Sequence, residues 1–271
     1  MVGASKNSSG KTIELLDHLA REVQRTLKNA DADQVHDLRV ASRRFGQILA
    51  VLDGTSGARG VRKMRRRVKD TIRLAGAVRD YDIAANLIAK SGAPARLQAR
   101  LKQRRSEAER ELVAALNDWV DRAFAEKWRA RLNDLGEQDG SLAPSERQTL
   151  IHAAQRLFDR ANKINGSARA LHKLRIAAKK LRYTMELMPF GQGPVAPIKK
   201  LQAKLGEIND YESARRIAEE EGASRELLDR LAESQEKKIK QFRRYWKREF
   251  AGKEEGWLAI LTHPRTPAPI H

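Results

Sequence analysis

The sequence predicts an all-α protein, and three observations lead to that class. Straight-chain helix formers dominate the composition, whereas aromatic residues make up only 5% of the chain. Apolar residues recur with the helical period, as at Leu16, Ala20, Val23 and Leu27. Clusters of Gly, Pro, Asn and Ser separate these amphipathic stretches at regular intervals. Long helices joined by short connections favour antiparallel packing into bundles.

Eight helices are predicted between the turns. Their approximate ranges are 11–29, 33–52, 60–90, 94–134, 145–164, 168–188, 196–221 and 225–250. The fourth is long, and a break is expected near Asn117–Trp119. Residues 1–10 are small and polar and are predicted to be disordered. Residues 251–271 hold three prolines and are predicted to form a tail that frays.

An internal repeat divides these helices into two sets of four. The segment Val35–Phe45 matches Leu171–Leu181, and Gly76–Asp82 matches Gly206–Glu212 in the same order. Two ordered matches at similar offsets indicate that a four-helix unit was duplicated. The predicted subdomains are therefore residues 11–135 and 136–250.

The charge of the chain indicates the class of its partners. The 271 residues carry a formal net charge of +19, with a sequence pI near 10.4. Such a protein attracts DNA, RNA, anionic membranes or polyphosphate. The absence of cysteine excludes disulfides, thiolate metal sites and cysteine nucleophiles. The sequence shows neither a secretory signal nor an apolar run long enough to span a bilayer, so the cytoplasm is the expected location without membrane insertion.

The repeated helix has one apolar and one cationic face. On a wheel of ~100° per residue with His36 at zero, Arg39 lies near ~300° and Arg43 near ~340°. Leu38, Ala41 and Phe45 cluster near ~190° on the opposite face. In the second copy the cationic face carries His172, Arg175, Lys179 and Arg182. An ordinary solvated face alternates acids with bases, so a duplicated row of one sign predicts an anion site.

Other cations form further helical rows. The rows expected to add to the anion site are Arg62, Arg66, Lys69 and Arg73; Lys200 and Lys204; and Lys240, Arg244 and Lys247. A row at Arg96, Arg100 and Arg104 is instead assigned to plain solvent exposure.

Carboxylates near the rows are given a structural role rather than one in acid–base chemistry. Glu186 follows Arg182 by one helical turn and is expected to pair with it. Asp80, Asp82 and Asp210 are expected to orient Arg or His side chains. For His36 and His172 two states stay open, namely rings that face the anion or neutral rings buried against Asp80 or Asp210.

These residues resemble the CHAD (conserved histidine α-helical) domain over roughly residues 11 to 250. The resemblance rests on His36-x-x-Arg39-x-x-x-Arg43-Arg44, on the second copy from His172 through Lys180, Arg182 and Tyr183, and on the Asp-Tyr pairs at 80–81 and 210–211. It implies two four-helix subdomains related by a pseudo-two-fold axis. It also implies a basic central groove or pore, polyphosphate binding and association with polyphosphate granules. It adds Arg44, Lys180 and Tyr183 to the candidate ligands.

The first copy departs from the family at one position. Gly46 stands where the second copy has Arg182, and the family often has a base there. The resemblance therefore implies a looser grip on phosphate in the first half, or space for the chain to enter. Glycine should also weaken its helix by about 1 kcal/mol relative to alanine.

The sequence thus predicts non-enzymatic binding of inorganic polyphosphate, with no cofactor, no metal and no catalytic residue. Non-specific nucleic-acid binding is the first alternative, but few aromatics interleave with the cations for base stacking. A metal-dependent accessory of a phosphohydrolase is the second. The histidines have Arg and Lys neighbours on their own face, and those side chains repel metal ions.

Overall fold

The computed structural model describes residues 3–56, 59–136, 146–164, 167–187 and 195–262. Over these ranges the chain is helical and contains no strand. The helices are α1 (Gly3–Lys28), α2 (Ala32–Ser56), α3 (Arg59–Lys90), α4 (Ala95–Asp121), α5 (Phe124–Gly136), α6 (Glu146–Asn162), α7 (Ala168–Leu187), α8 (Val195–Glu220), α9 (Arg225–Glu249) and α10 (Glu254–Thr262). The all-α class predicted from the sequence is confirmed.

The first and the fourth predicted helices differ most from the helices of the structure. The first helix already begins at Gly3, so the expected disorder of residues 1–10 is wrong from Gly3 onward. The predicted fourth helix is two helices, α4 and α5, and the break lies at Arg122–Ala123 rather than at 117–119. Ala123 adopts a φ of 48°, a left-handed conformation that ends α4.

The chain divides into two compact units, Met1–Ala143 and Pro144–His271. The division lies a few residues beyond the expected 135/136. Within the described ranges, the first unit contains α1 to α5 and the second α6 to α10. Each unit therefore holds a fifth helix that the four-helix expectation lacked.

In the first unit, apolar faces of α1 to α5 enclose one core. Leu38, Phe45 and Leu49 of α2 are fully buried, as the wheel predicted. Phe45 stacks on Trp128 of α5 with the ring centroids 5.9 Å apart. Trp119 meets Trp128 edge-on at 4.7 Å. The short helix α5 therefore completes the core through aromatic packing.

The second unit closes its core with the tail helix α10. Trp257 is 7% exposed and stacks on Phe250 at 4.9 Å. Its indole Nε1 donates a hydrogen bond to the carbonyl of Glu249 at 3.3 Å. The prediction that this tail frays is therefore wrong for Glu254–Thr262, and residues 263–271 lie outside the described residues.

Each unit contains a polar clasp, by which we mean the polar contacts between its third and fourth helices in chain order. In the first, Arg105 of α4 donates from Nε to Asp82 of α3 at 2.9 Å, and from Nη2 to the carbonyl of Ala30 at 2.6 Å. In the second, the amide of Gln235 in α9 donates to Glu212 of α8 at 2.8 Å. Asp82 and Glu212 occupy equivalent positions of the repeat, but only the first clasp is an ion pair.

Removing the acid from each clasp should cost different amounts. We expect Asp82→Ala to lower the free energy of unfolding by about 1.5–3 kcal/mol, since it removes one of the two carboxylates that pair with the part-buried Arg105 guanidinium, the other being Glu109. Glu212→Ala should cost about 0.5–1.5 kcal/mol, because its partner is a neutral amide. Urea denaturation of the full chain measures both. An equal or larger loss for Glu212→Ala would contradict the assignment.

Candidate anion-binding site

The cationic face of α2 lies opposite the core that α2 builds. Arg39 and Arg43 are half-buried, whereas His36 and Arg44 are exposed. In α7, Arg175, Lys179, Arg182 and Tyr183 are half-buried, whereas His172 and Lys180 are exposed. The arginine stems therefore pack against the units while the two histidine rings reach solvent. The alternative in which both rings are buried is wrong.

Arg39 is held against α3 by a backbone hydrogen bond and by the absence of a side chain at Gly76. Its Nη1 donates to the carbonyl of Ile72 at 3.1 Å. A Cβ at Gly76 would stand 2.7 Å from that same Nη1, closer than such contacts are found. The glycine thus makes room for the guanidinium. The equivalent Gly206 has no atom within 4 Å of its Cβ position.

A cleft of about 950 Å³ lies between α2 and α3 in the first unit. Its lining includes six cations: Arg43, Arg62, Lys63, Arg65, Arg66 and Lys69. Four of these were predicted from the helical rows. Lys63 and Arg65 were missed, because the cleft is lined by more of the α3 surface than a single helical stripe covers. Arg73, the last member of the predicted α3 row, is exposed and is not among the lining residues.

Among the described residues, Asp53 is the one carboxylate that lines this cleft. Its Oδ2 accepts from Arg65 Nη1 at 2.5 Å, and its Oδ1 lies 3.7 Å from Arg62 Nε. Its side chain is only 15% exposed. Arg43, Lys63, Arg66 and Lys69 have no ion pair with any residue in the described ranges. Most of the positive charge in the cleft is therefore left for a ligand to neutralise.

Gly46 has a packing role beyond the loss of a base. It lines the cleft, and a Cβ there would lie 3.2 Å from Cγ1 of Val68 and 3.8 Å from Cδ1 of Ile72. Glycine lets α2 approach α3 at this level. The implied space for an incoming chain is thus partly occupied by the neighbouring helix.

The equivalent position in the second unit makes a polar contact instead. Arg182 donates to the side-chain oxygen of Gln202 in α8 at 2.9 Å, and Gln202 donates to the carbonyl of Ala178 at 2.7 Å. The Arg182 guanidinium also lies 5.5 Å from the centre of the Tyr183 ring. The expected partner Glu186 has a side chain outside the described residues.

Lys200 and Lys204 of α8 point away from α7, toward α9. The ammonium groups of Lys200 and Lys204 each lie 5.7 Å from the ring centre of Tyr245, and the Arg248 guanidinium lies at 5.6 Å. Gln202, which contacts α7, is on the other side of the helix. Lys200 and Lys204 therefore form a separate cluster and do not extend the α7 row. Lys240, Arg244 and Lys247 are exposed on α9.

The Tyr245 cluster has an internal counter-ion. A hydrogen bond from Arg248 holds the pKa of Glu249 below its usual range, so this carboxylate stays ionised beside the cations. Burial raises the pKa of Tyr245, whose hydroxyl donates to the carbonyl of Pro197 at 3.0 Å. This hydrogen bond fixes the ring against which Lys200, Lys204 and Arg248 pack.

Asp82, one of the acids expected to orient an Arg or His side chain, contacts an arginine of the scaffold. Its partner is Arg105 of α4, as described for the clasp. Among the residues that the structure describes, no group of three His, Asp or Glu side chains could hold a metal ion. No helix in the described ranges combines the length and apolarity that a bilayer crossing requires.

The fold and the site define an all-helical protein whose repeated unit presents a cationic face and, in its first copy, a cation-lined cleft. The model of the CHAD domain matches residues 12–219, and the chain belongs to that family. A comparison with curated proteins finds no relative of similar sequence.

Two solved structures have the same fold. The CHAD domain of the plant Ricinus communis is 21% identical, with a TM-score of 0.66 over 97% of this chain and 93% of that one. PptA from Streptomyces chartreusis is 17% identical, with a TM-score of 0.66 over 90% of this chain and 98% of that one.

The paired glycines allow a test of how Arg39 is positioned. Gly206→Ala should raise the free energy of unfolding by about 1 kcal/mol through helix propensity and leave anion affinity unchanged. Gly76→Ala should gain less stability, because the new methyl group displaces the Arg39 guanidinium from Ile72. It should also weaken the binding of an anion that Arg39 contacts. Urea denaturation and a binding titration on both variants measure this, and identical behaviour of the two would refute the role of Gly76.

Proposed function

We propose that the protein binds inorganic polyphosphate, without turning it over, on the cationic faces of its two repeats. The observation that carries the proposal is the α2–α3 cleft, in which six cations face one carboxylate. Arg and Lys form charge-assisted hydrogen bonds to phosphoryl oxygens, and Arg can do so with two parallel bonds. A phosphate chain carries charge along its whole length, so it can neutralise several of these cations at once.

The lining of the cleft supports polyphosphate over nucleic acid. The residues that line it include no aromatic side chain. Single-stranded nucleic acids are bound with stacking platforms as well as cations, and each stacked base contributes about 1–3 kcal/mol. The aromatic groups Phe45, Trp119 and Trp128 instead pack in the core of the same unit. Polyphosphate has no bases, so the absence of stacking side chains from this lining does not weaken its binding.

Membership in the CHAD family gives a second line of support, because the family resemblance implies polyphosphate binding. The pseudo-two-fold axis and the central groove or pore that it also implies stay predictions. In cells that store polyphosphate, this binding would place the protein on cytoplasmic granules. We expect no cofactor, no metal requirement and no catalytic residue.

Charge reversal within the cleft tests the proposal. The triple variant Arg43→Glu, Arg66→Glu, Lys69→Glu should weaken binding of long-chain polyphosphate by at least about a hundredfold, which corresponds to about 2.7 kcal/mol. None of the three has an ion pair in the described structure, so helical circular dichroism should stay unchanged. Fluorescence anisotropy at fixed ionic strength measures the affinity.

The matched control reverses the same number of charges elsewhere in the first unit. Arg96, Arg110 and Lys127 are exposed on α4 and α5, and their change to Glu should weaken binding by only a few-fold. Equal losses for both triples would show that diffuse charge, and no defined site, attracts the polymer. If the wild type binds DNA of equal charge as tightly as polyphosphate at the same salt, the nucleic-acid alternative holds.

A further inference from the structure

The second unit carries a cation cluster that the repeated rows do not account for. It lies where α6 ends and α7 begins, and we call it the corner cluster. Its members are Arg156, Arg160, Lys163, Arg169 and Lys173, all of them exposed. They line two adjoining clefts of about 350 Å³ and 460 Å³, which share Arg160 and Lys163.

The charges of the corner cluster are not neutralised by the protein in the described ranges. None of the five side chains has an ion pair or a hydrogen bond to a described residue. Among the described residues, Asp159 is the one carboxylate that lines either cleft. Two other exposed arginines of the unit do have acidic partners one turn away, Arg216 with Glu220 at 2.7 Å and Arg225 with Asp229 at 3.3 Å.

The first repeat shows that the fold does not require the two cations at the start of α7. The repeat aligns Arg169 with Asp33 and Lys173 with Asp37, so the sign of the charge is opposite at both positions. Both helices nevertheless begin in the same way. Asp31 accepts backbone hydrogen bonds at the start of α2, and Ser167 accepts one from Ala170 at the start of α7. The basic start of α7 is thus particular to the second unit, whereas Arg156, Arg160 and Lys163 of α6 have counterparts of the same spacing at the end of α1, in Arg21, Arg25 and Lys28.

The α7 row, which consists of His172, Arg175, Lys179 and Arg182, lies on one side of α7. The two corner cations of the same helix lie on the other side. With His172 at zero and ~100° per residue, Arg175 and Lys179 fall near ~300° and ~340°, on the side that faces α8. Arg169 and Lys173 fall near ~60° and ~100°, on the side that faces α6. Lys180 lies near ~80° on the same stripe as the corner cations. A helix with its side chains is only about 10–12 Å across, so one polymer chain can contact both sides.

We infer that the corner cluster is a second phosphoryl-binding subsite, which long polyphosphate reaches across α7 while it occupies the α7 row. The inference rests on the proposed function and gives the second unit a polymer track on both sides of α7. A long chain gains from both subsites, because binding at one raises the effective concentration of phosphoryl groups at the other. Tripolyphosphate is too short to gain in this way.

A charge-reversal variant of the full chain separates the two subsites. It carries Arg160→Glu, Lys163→Glu, Arg169→Glu and Lys173→Glu, and its control reverses Arg96, Lys102, Arg110 and Lys127, all exposed in the first unit. Affinities for long-chain polyphosphate and for tripolyphosphate are measured at one ionic strength. A second variant with Gln at the four corner positions guards against misfolding, and circular dichroism checks both.

The expected result is a loss of at least about tenfold in affinity for the long chain, or about 1.4 kcal/mol, for the corner variants only. Their tripolyphosphate affinity should change by no more than that of the control variant. Unchanged long-chain binding by the corner variants would overturn the subsite and leave the proposed function standing, and so would losses that the control reproduces. A wild-type protein that binds no polyphosphate would overturn both.

Discussion

Repulsion between like charges on one helical face is the constraint on which the rest of this structure depends. Cations one turn apart destabilise a helix by about 0.2–0.5 kcal/mol per pair. The opposite face of α2 buries Leu38, Phe45 and Leu49 completely, and each such side chain contributes about 1.5–3 kcal/mol. The apolar face therefore stabilises the helix by more than its cationic face destabilises it. An anion that neutralised the row would remove the remaining repulsion and would thereby couple folding to binding.

The core and the site depend on each other through glycine. Gly46 lets α2 approach α3, and Gly76 makes room for the Arg39 guanidinium beside the carbonyl of Ile72. Each replaces a side chain within a helix, where glycine costs about 1 kcal/mol relative to alanine. Both glycines lie at the packing interface between α2 and α3. Local helix stability is thus lower where the cations have to be placed.

The two repeats have kept the rows and the clasps but changed what surrounds them. The position of Gly46 in one unit holds Arg182 in the other, and Arg182 hydrogen-bonds Gln202. The ion pair between Arg105 and Asp82 has become an amide–carboxylate bond between Gln235 and Glu212. The second unit has Arg169 and Lys173 at the start of α7, where the first has Asp33 and Asp37 at the start of α2. The two units are thus scaffolds of one kind. We propose that each of them contacts a segment of polyphosphate, and that the two segments differ in length.

Periodicity predicted the helices and their apolar faces because both depend on local sequence. It failed at Gly3–Gly10, at the break after Asp121 and at α10, which packs on α6, a helix far away in the sequence. It also grouped Lys200 and Lys204 with the anion site, although Tyr245, more than forty residues away, draws them to α9. The width of the cleft depends on how closely α2 and α3 pack, so single stripes missed Lys63 and Arg65.

The central claim is that the cleft cations reduce the stability of the free protein and are stabilised by a bound phosphate chain. Thermal unfolding of the variant Arg43→Gln, Arg66→Gln, Lys69→Gln, with and without long-chain polyphosphate, tests it most directly. The account predicts a higher Tm than wild type without the polymer and a smaller rise in Tm when the polymer is added. A variant that melts below wild type without polymer, or that gains as much Tm from polymer as wild type, would contradict it.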